Sequence, residues 1–158
     1  MRGKRRIGRG ICRCLCLPVD YDVLRSRVSE VRLAINELER LTSKPFQAFT
    51  VDERYSMRYN VVVLVESLVS LCVHVAAEAY NRKPMSYREA VRAVAERLSP
   101  ECVEDLEALV GLRNLVIHRY WTVEDERIYH SVKTNFKCVE TVLKKIEEAF
   151  LDLSLIHI

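Results

Sequence analysis

The sequence has little of what breaks or divides a chain. Its 158 residues include four glycines and four prolines. An all-β sandwich or barrel needs many tight turns, and these residues make them, so that class is excluded. No internal repeat and no low-complexity linker interrupts the sequence. One domain is therefore expected, and a chain near ~150 residues can bury roughly 70% of its unfolded surface. Charge of one sign is also scarce. Lys and Arg number 25 against 22 Asp and Glu, for a net +3. Even that excess is local. Residues 1–20 hold Arg2, Lys4, Arg5, Arg6, Arg9 and Arg13 against Asp20, while the other 138 residues carry a balance of −2. Bulk charge does not make the body a nucleic-acid binder, and any such contact must come from a local patch.

Targeting and membrane signals are weak. The apolar stretch Ile11 to Val19 contains Arg13 and leads to no small-residue cleavage site. The most apolar window, Val61 to Tyr80, contains Glu66, His74 and Glu78, which are costly at bilayer depth. No membrane association is expected. Cys12, Cys14 and Cys16 crowd the N-terminal tail, but no second cluster completes a tetrahedral metal site. Cys72, Cys102 and Cys138 lie far apart and read as small, inert core hydrophobes. A chain of this length needs no disulfide staples, so the pattern points to a reducing cytoplasm. No cofactor and no metal is expected.

What the sequence does have is helical periodicity. Hydrophobic residues make up 49% of it. Leu24, Val28, Val31, Ile35 and Leu38 step by four and three, which predicts an amphipathic helix opening near Asp20 or Asp22 and ending by Pro45. Thr50-Val51-Asp52-Glu53 is a capping box for a second helix of roughly 30 residues running to about Tyr80. Its second half is apolar nearly all round, as in the central helix of a bundle. Glu66 and His74 on it read as buried, hydrogen-bonded polar residues. Ser86-Tyr87-Arg88-Glu89 opens a third helix, and Ser99-Pro100 gives an N-cap and first position for a fourth. Thr122 and Asp125 resemble the start of a fifth, with Val132, Phe136, Val139, Leu143, Ile146 and Phe150 on one face. The expected fold is all-α, an antiparallel bundle of about five helices.

Chemistry concentrates in Arg113-Asn114-Leu115-Val116-Ile117-His118-Arg119-Tyr120-Trp121. Arginine offers a fixed fork of donors for a phosphate and keeps its charge at every relevant pH. Histidine titrates near neutrality and can take or return the proton of a ribose 2′-OH. Tyr120 can donate to a phosphate oxygen, and Tyr120 or Trp121 can stack on a base, although Trp121 reads first as packing. Arg119 is a surface phosphate contact or a solvated side chain. No carboxylates at metal spacing accompany these groups, so metal-independent cleavage is the simpler mechanism. On an ideal helix His118 lies about 140° round from Arg113. The two converge only if the helix stops near His118 or a second copy supplies part of the site. An Arg and a His at a helix C-terminus can also do no more than satisfy its last carbonyls and its dipole.

Arg113-Asn114 followed by His118 resembles the Arg-polar-x3-His signature of HEPN domains. With Tyr120 it becomes Arg-x4-His-x-Tyr, similar to the HepT branch of that superfamily. Asp52 to Tyr59, Val65-Glu66, Ser86 to Ala90 and Asp125 to Tyr129 also sit where that branch has similar words, so the likeness covers about residues 20–150. The resemblance implies a homodimeric HEPN-like bundle with both motifs facing one cleft, and an endoribonuclease toxin of a toxin–antitoxin pair. It implies Arg113 and His118 as the catalytic pair, with Asn114, Arg119 and Tyr120 supporting them or binding RNA. It implies as partner a minimal nucleotidyltransferase, MntA, that can adenylylate Tyr120. The domain would span residues 19–152 and be cytoplasmic. Residues 1–18 have no counterpart in the usual pattern and are read as a disordered tail or a start-site artefact. Residues 153–158 remain unassigned. Two rival readings stand beside this one. In the first, a non-enzymatic helical dimer binds a nucleotide or the nucleotidyltransferase. In the second, a DNA- or RNA-binding protein uses its basic tail.

Overall fold

The computed structural model describes residues 19–151 and contains five α-helices. Helix α1, Tyr21–Leu41, starts where Asp20 accepts hydrogen bonds from the backbone N–H groups of Asp22 and Val23 at 3.0 and 3.2 Å. Leu24, Val28, Val31, Ile35 and Leu38 are all buried, as their spacing requires. A short 3₁₀ turn, Phe46–Ala48, leads to α2, Val51–Tyr80. The capping box there is reciprocal. The Glu53 N–H donates to Thr50 Oγ1 at 3.2 Å, and the Thr50 N–H donates to Glu53 Oε2 at 2.8 Å. The helix ends on Asn81, whose φ of 50° is left-handed, a conformation that asparagine tolerates better than most residues.

Helix α2 packs against each of the other four, α3 (Tyr87–Leu98), α4 (Val103–His118), α5 (Asp125–Ile146) and α1. Leu64, Val65, Leu68, Leu71, Cys72 and Val75 are fully enclosed. It is long and apolar enough to cross a bilayer, but here it forms the centre of the core. A wider π-type turn, Glu147–Leu151, extends α5.

Several local expectations change. Ser99 does not cap α4. Pro100–Cys102 forms a 3₁₀ turn first, and the Ser99 hydroxyl donates to Glu101 Oε1 at 2.6 Å. No side chain caps α5 either: the helix opens at Asp125, the Thr122 hydroxyl donates to the Arg119 carbonyl at 3.1 Å, and the Asp125 carboxylate is taken by Arg58. The body cysteines are not three independent hydrophobes. Cys102 and Cys138 form a disulfide between the turn before α4 and the middle of α5, and only Cys72 is free among the described residues. Cysteine usage is thus no argument for a reducing compartment. The tail with Cys12, Cys14 and Cys16, the start-site reading and residues 153–158 lie outside the described residues.

Candidate functional site

Helix α4 stops at His118, and that stop decides the site's geometry. Arg119 N–H still reaches the Leu115 carbonyl at 2.9 Å, but Arg119 to Thr122 then turn back, with the Thr122 N–H on the Arg119 carbonyl at 2.9 Å. Tyr120 therefore leaves the helix instead of eclipsing Arg113 one repeat later. The helix is thus interrupted just after His118, but within a single chain this does not bring His118 onto Arg113.

Arg113 lies inside a polar cluster that joins three helices. Its Nε donates to Glu66 Oε1 on α2 at 2.8 Å, and a second guanidinium N–H reaches the same oxygen. Its Nη1 donates to Asn114 Oδ1 at 3.0 Å, and the guanidinium sits 4.9 Å over the ring of Tyr87 on α3. The Tyr87 hydroxyl donates to Glu66 Oε2 at 2.7 Å. That hydrogen bond, with burial and the carboxylate's charge behind it, pushes the Tyr87 phenol above its ordinary value, against the pull of Arg113. Guanidinium has five N–H donors, of which three are used in these bonds. Two remain for a ligand, and the group holding them is fixed in direction.

Sequence reasoning missed Glu66 and Tyr87 as the holders of Arg113. Glu66 is not buried as expected. Its side chain is 41% exposed, while that of Arg113 is only 16% exposed. The signal was present in one form: an isolated acid on an apolar helix face needs a cation, and Arg113 is the chemically apt one on α4. His74 also departs from expectation, because its buried Nε2 has no hydrogen-bond partner.

The second half of the motif is organised by Arg58 on α2. Its Nε donates to Asp125 Oδ1 at 2.5 Å, one amino group reaches the Tyr120 carbonyl at 2.9 Å, and the other reaches the Val123 carbonyl at 3.3 Å. This clasp fixes the turn that presents Tyr120 and Trp121. Both are exposed, at 61% and 70%, with ring centroids 5.1 Å apart in an edge-to-face arrangement. Trp121 is thus not a packing residue. His118 and Arg119 are exposed at the helix end, and neither side chain makes a hydrogen bond or ion pair among the described residues. Arg113 and Asn114 are joined directly, whereas no hydrogen bond links His118 to Arg113 or to Tyr120 within one chain.

A family model described as "Ribonuclease HepT-like" matches residues 31–146. No curated protein matches the chain. Among solved structures, the fold is similar to a toxin–antitoxin crystallised with AMP-PNP (17% identity, 80% of this chain and 98% of that one, TM-score 0.73). It is similar to a tri-AMPylated Shewanella oneidensis HEPN toxin in complex with an MNT antitoxin (18% identity, 80% and 98%, TM-score 0.73). It is also similar to YutE of Bacillus subtilis, described as a cytosolic protein of unknown function (14% identity, 87% and 94%, TM-score 0.72).

Proposed function

The chain belongs to the HepT-like ribonuclease family, and from that membership and the site's geometry we propose that it is the RNA-cleaving toxin of a toxin–antitoxin pair, acting through Arg113 and His118. The observation that carries this reading is the contrast between the two residues. Arg113 is immobilised by Glu66, Asn114 and Tyr87 with two donors to spare, as a phosphate clamp requires. His118 is unengaged at the helix end, as a proton carrier requires. In the proposed step, the ribose 2′-oxygen attacks phosphorus as its proton passes to His118. The bond from phosphorus to the 5′-oxygen breaks, and that oxygen takes the proton back from the imidazolium of His118. The products are a 2′,3′-cyclic phosphate and a 5′-hydroxyl, with atoms and charge balanced without a metal. Arg113 stabilises the charge on the pentavalent phosphorus, and Asn114 holds Arg113 in place. Arg119 steadies the flanking strand.

Two copies complete the site in this reading. Tyr59, Val63, Glu66, Ser70 and Val73 step along one face of α2, and Tyr59 and Val73 are 68% and 41% exposed. That face is mostly apolar, and Glu66 with its bound Arg113 lies in the middle of it. Pairing of two such faces would bring two Arg113 and two His118 into one cleft. The exposed Tyr120 hydroxyl suits the nucleophile of an adenylylation by an MntA-like antitoxin. Its oxygen would attack the α-phosphorus of ATP and release pyrophosphate, leaving AMP's bulk and charge at the cleft mouth. Relatives of this fold are described as an AMPylated toxin bound to its antitoxin and as a toxin–antitoxin with a nucleotide analogue, which supports the reading. Co-expression with such a partner is expected to add the mass of AMP to wild type and not to Tyr120→Phe, read by intact mass spectrometry.

The central test is RNA cleavage in the presence of EDTA by wild type, Arg113→Ala and His118→Ala. Loss of the general acid–base group is expected to slow cleavage roughly 10²–10⁴-fold. Loss of the clamp is expected to do at least as much damage. Equal rates in all three proteins would assign the chemistry elsewhere.

A further inference from the structure

We propose that the pocket between the start of α2 and the α4–α5 turn is a nucleobase subsite, taking one base of a single-stranded RNA whose backbone lies on the motif. The inference rests on the ribonuclease reading and adds to it a recognition element. The pocket encloses about 400 Å³, and its walls include Arg54, Tyr55, Arg58, Tyr120 and Trp121. Three features fit a base and its phosphate.

First, two large aromatic side chains are displayed, not packed. Tyr55 is 61% exposed and Trp121 is 70% exposed. The contact between Tyr120 and Trp121 is edge-to-face, so at most one face of Trp121 is occupied. Every base has a π-face, and stacking on aromatic side chains is how proteins hold unpaired RNA bases. Second, Arg54 is a cation without an anion. It makes no ion pair or side-chain hydrogen bond among the described residues, and its Nε is buried with no acceptor. Its guanidinium lies 4.9 Å over the Phe46 ring, which holds it at the wall of the pocket. Its terminal amino groups, which make no hydrogen bond among the described residues, are the donors that a phosphate oxygen would meet. Third, the opposite wall is preset. All three nitrogens of Arg58 are engaged, to Asp125 and to the carbonyls of Tyr120 and Val123, so the turn bearing Trp121 is fixed before any ligand arrives. Tyr120 belongs to both the motif and the pocket. In this proposal, a strand with its reacting phosphate at the motif places a neighbouring base here.

Trp121 is the sole tryptophan of the chain, so its fluorescence reports the pocket directly. The probe is a short 2′-O-methyl oligoribonucleotide, which lacks the attacking 2′-hydroxyl and survives. Saturable quenching of Trp121 is expected. An abasic strand of equal length should bind more weakly. Tyr55→Ala, at an exposed position that does not threaten folding, should weaken binding roughly five-fold or more, as loss of one stacked base predicts. Circular dichroism checks that this variant is folded. Absence of quenching, or equal binding of the abasic strand, overturns the proposal. Quenching by free AMP as strong as by the strand also overturns it, in favour of a free-nucleotide site. Cleavage is measured separately on unmodified RNA. Cleavage without quenching removes the subsite and leaves the ribonuclease reading intact. Quenching without cleavage does the reverse.

Discussion

Arg113 illustrates how much of a residue's role is set by what it touches. Alone on α4 it could be a helix-end cation satisfying carbonyls. Its guanidinium instead turns across to Glu66 and lies over Tyr87, so it is aimed by two other helices. Tyr87 then becomes a reporter of this cluster. Its phenol is raised above the ordinary value of 10, chiefly because Glu66 accepts its proton's hydrogen bond. The sign follows from linkage. A group raised on folding contributes stability that is fully present below its unfolded value and is lost as pH climbs through the folded one. Wild type is therefore expected to lose stability from about pH 10 upward, and Tyr87→Phe to lose less over the same window, in urea titrations at pH 7 and pH 11. Identical pH dependence would mean that the Tyr87–Glu66 bond is not formed. Burial alone dominates at Cys72, whose thiol is pushed up to about 12 and so has almost no thiolate at neutral pH.

At the scale of elements, helix starts and faces were largely legible, and the joints were not. The Thr50 capping box and the Leu24 to Leu38 stripe each declare themselves within one helical turn or two, because their physics is local. The α5 start was misread for the same reason in reverse. Thr122 and Asp125 have the spacing of a local box, but the helix opens only at Asp125, and Arg58, 67 residues away in sequence, wins its carboxylate. The site divides likewise. Arg113, Asn114, His118 and Tyr120 are contiguous enough to be read as a motif, whereas Glu66, 47 residues from Arg113, is supplied by packing. The disulfide is another joint of this kind. Cys102 and Cys138 are 36 residues apart, and the loop they close contains the whole motif. Its reduction is expected to lower stability by about 2–4 kcal/mol, the usual range for such a cross-link. In a variant lacking residues 1–18, a thiol reagent should find no reactive group in the folded protein. One thiol, Cys72, should appear after unfolding, and three after unfolding with reductant. Three thiols without reductant would show that Cys102 and Cys138 are unpaired.

The whole molecule poses a problem that one chain does not solve. Helix α2 is enclosed by four neighbours, yet one of its faces still presents Tyr59 and Val73 to water. Exposed apolar residues are common singly, but a row along one helix, continuous with a site, is what an interface between copies requires. The site itself argues for the same surface. His118 has no bond to Arg113 within the chain, and the ideal-helix angle between them is about 140°. In the proposed reading, a second copy on the α2 face would supply the missing half without bending α4. Val73→Asp tests this with little risk to the core, since Val73 is already 41% exposed. An unpaired charge placed on a pairing apolar face costs several kcal/mol where the contact is desolvated. Wild type is therefore expected to sediment as a dimer and Val73→Asp as a monomer, with unchanged helicity. If the cleft is composite, cleavage falls with the dimer, at least ten-fold at concentrations where wild type remains paired. A monomeric wild type, or a Val73→Asp monomer that cleaves as fast, would place a complete active site within a single chain.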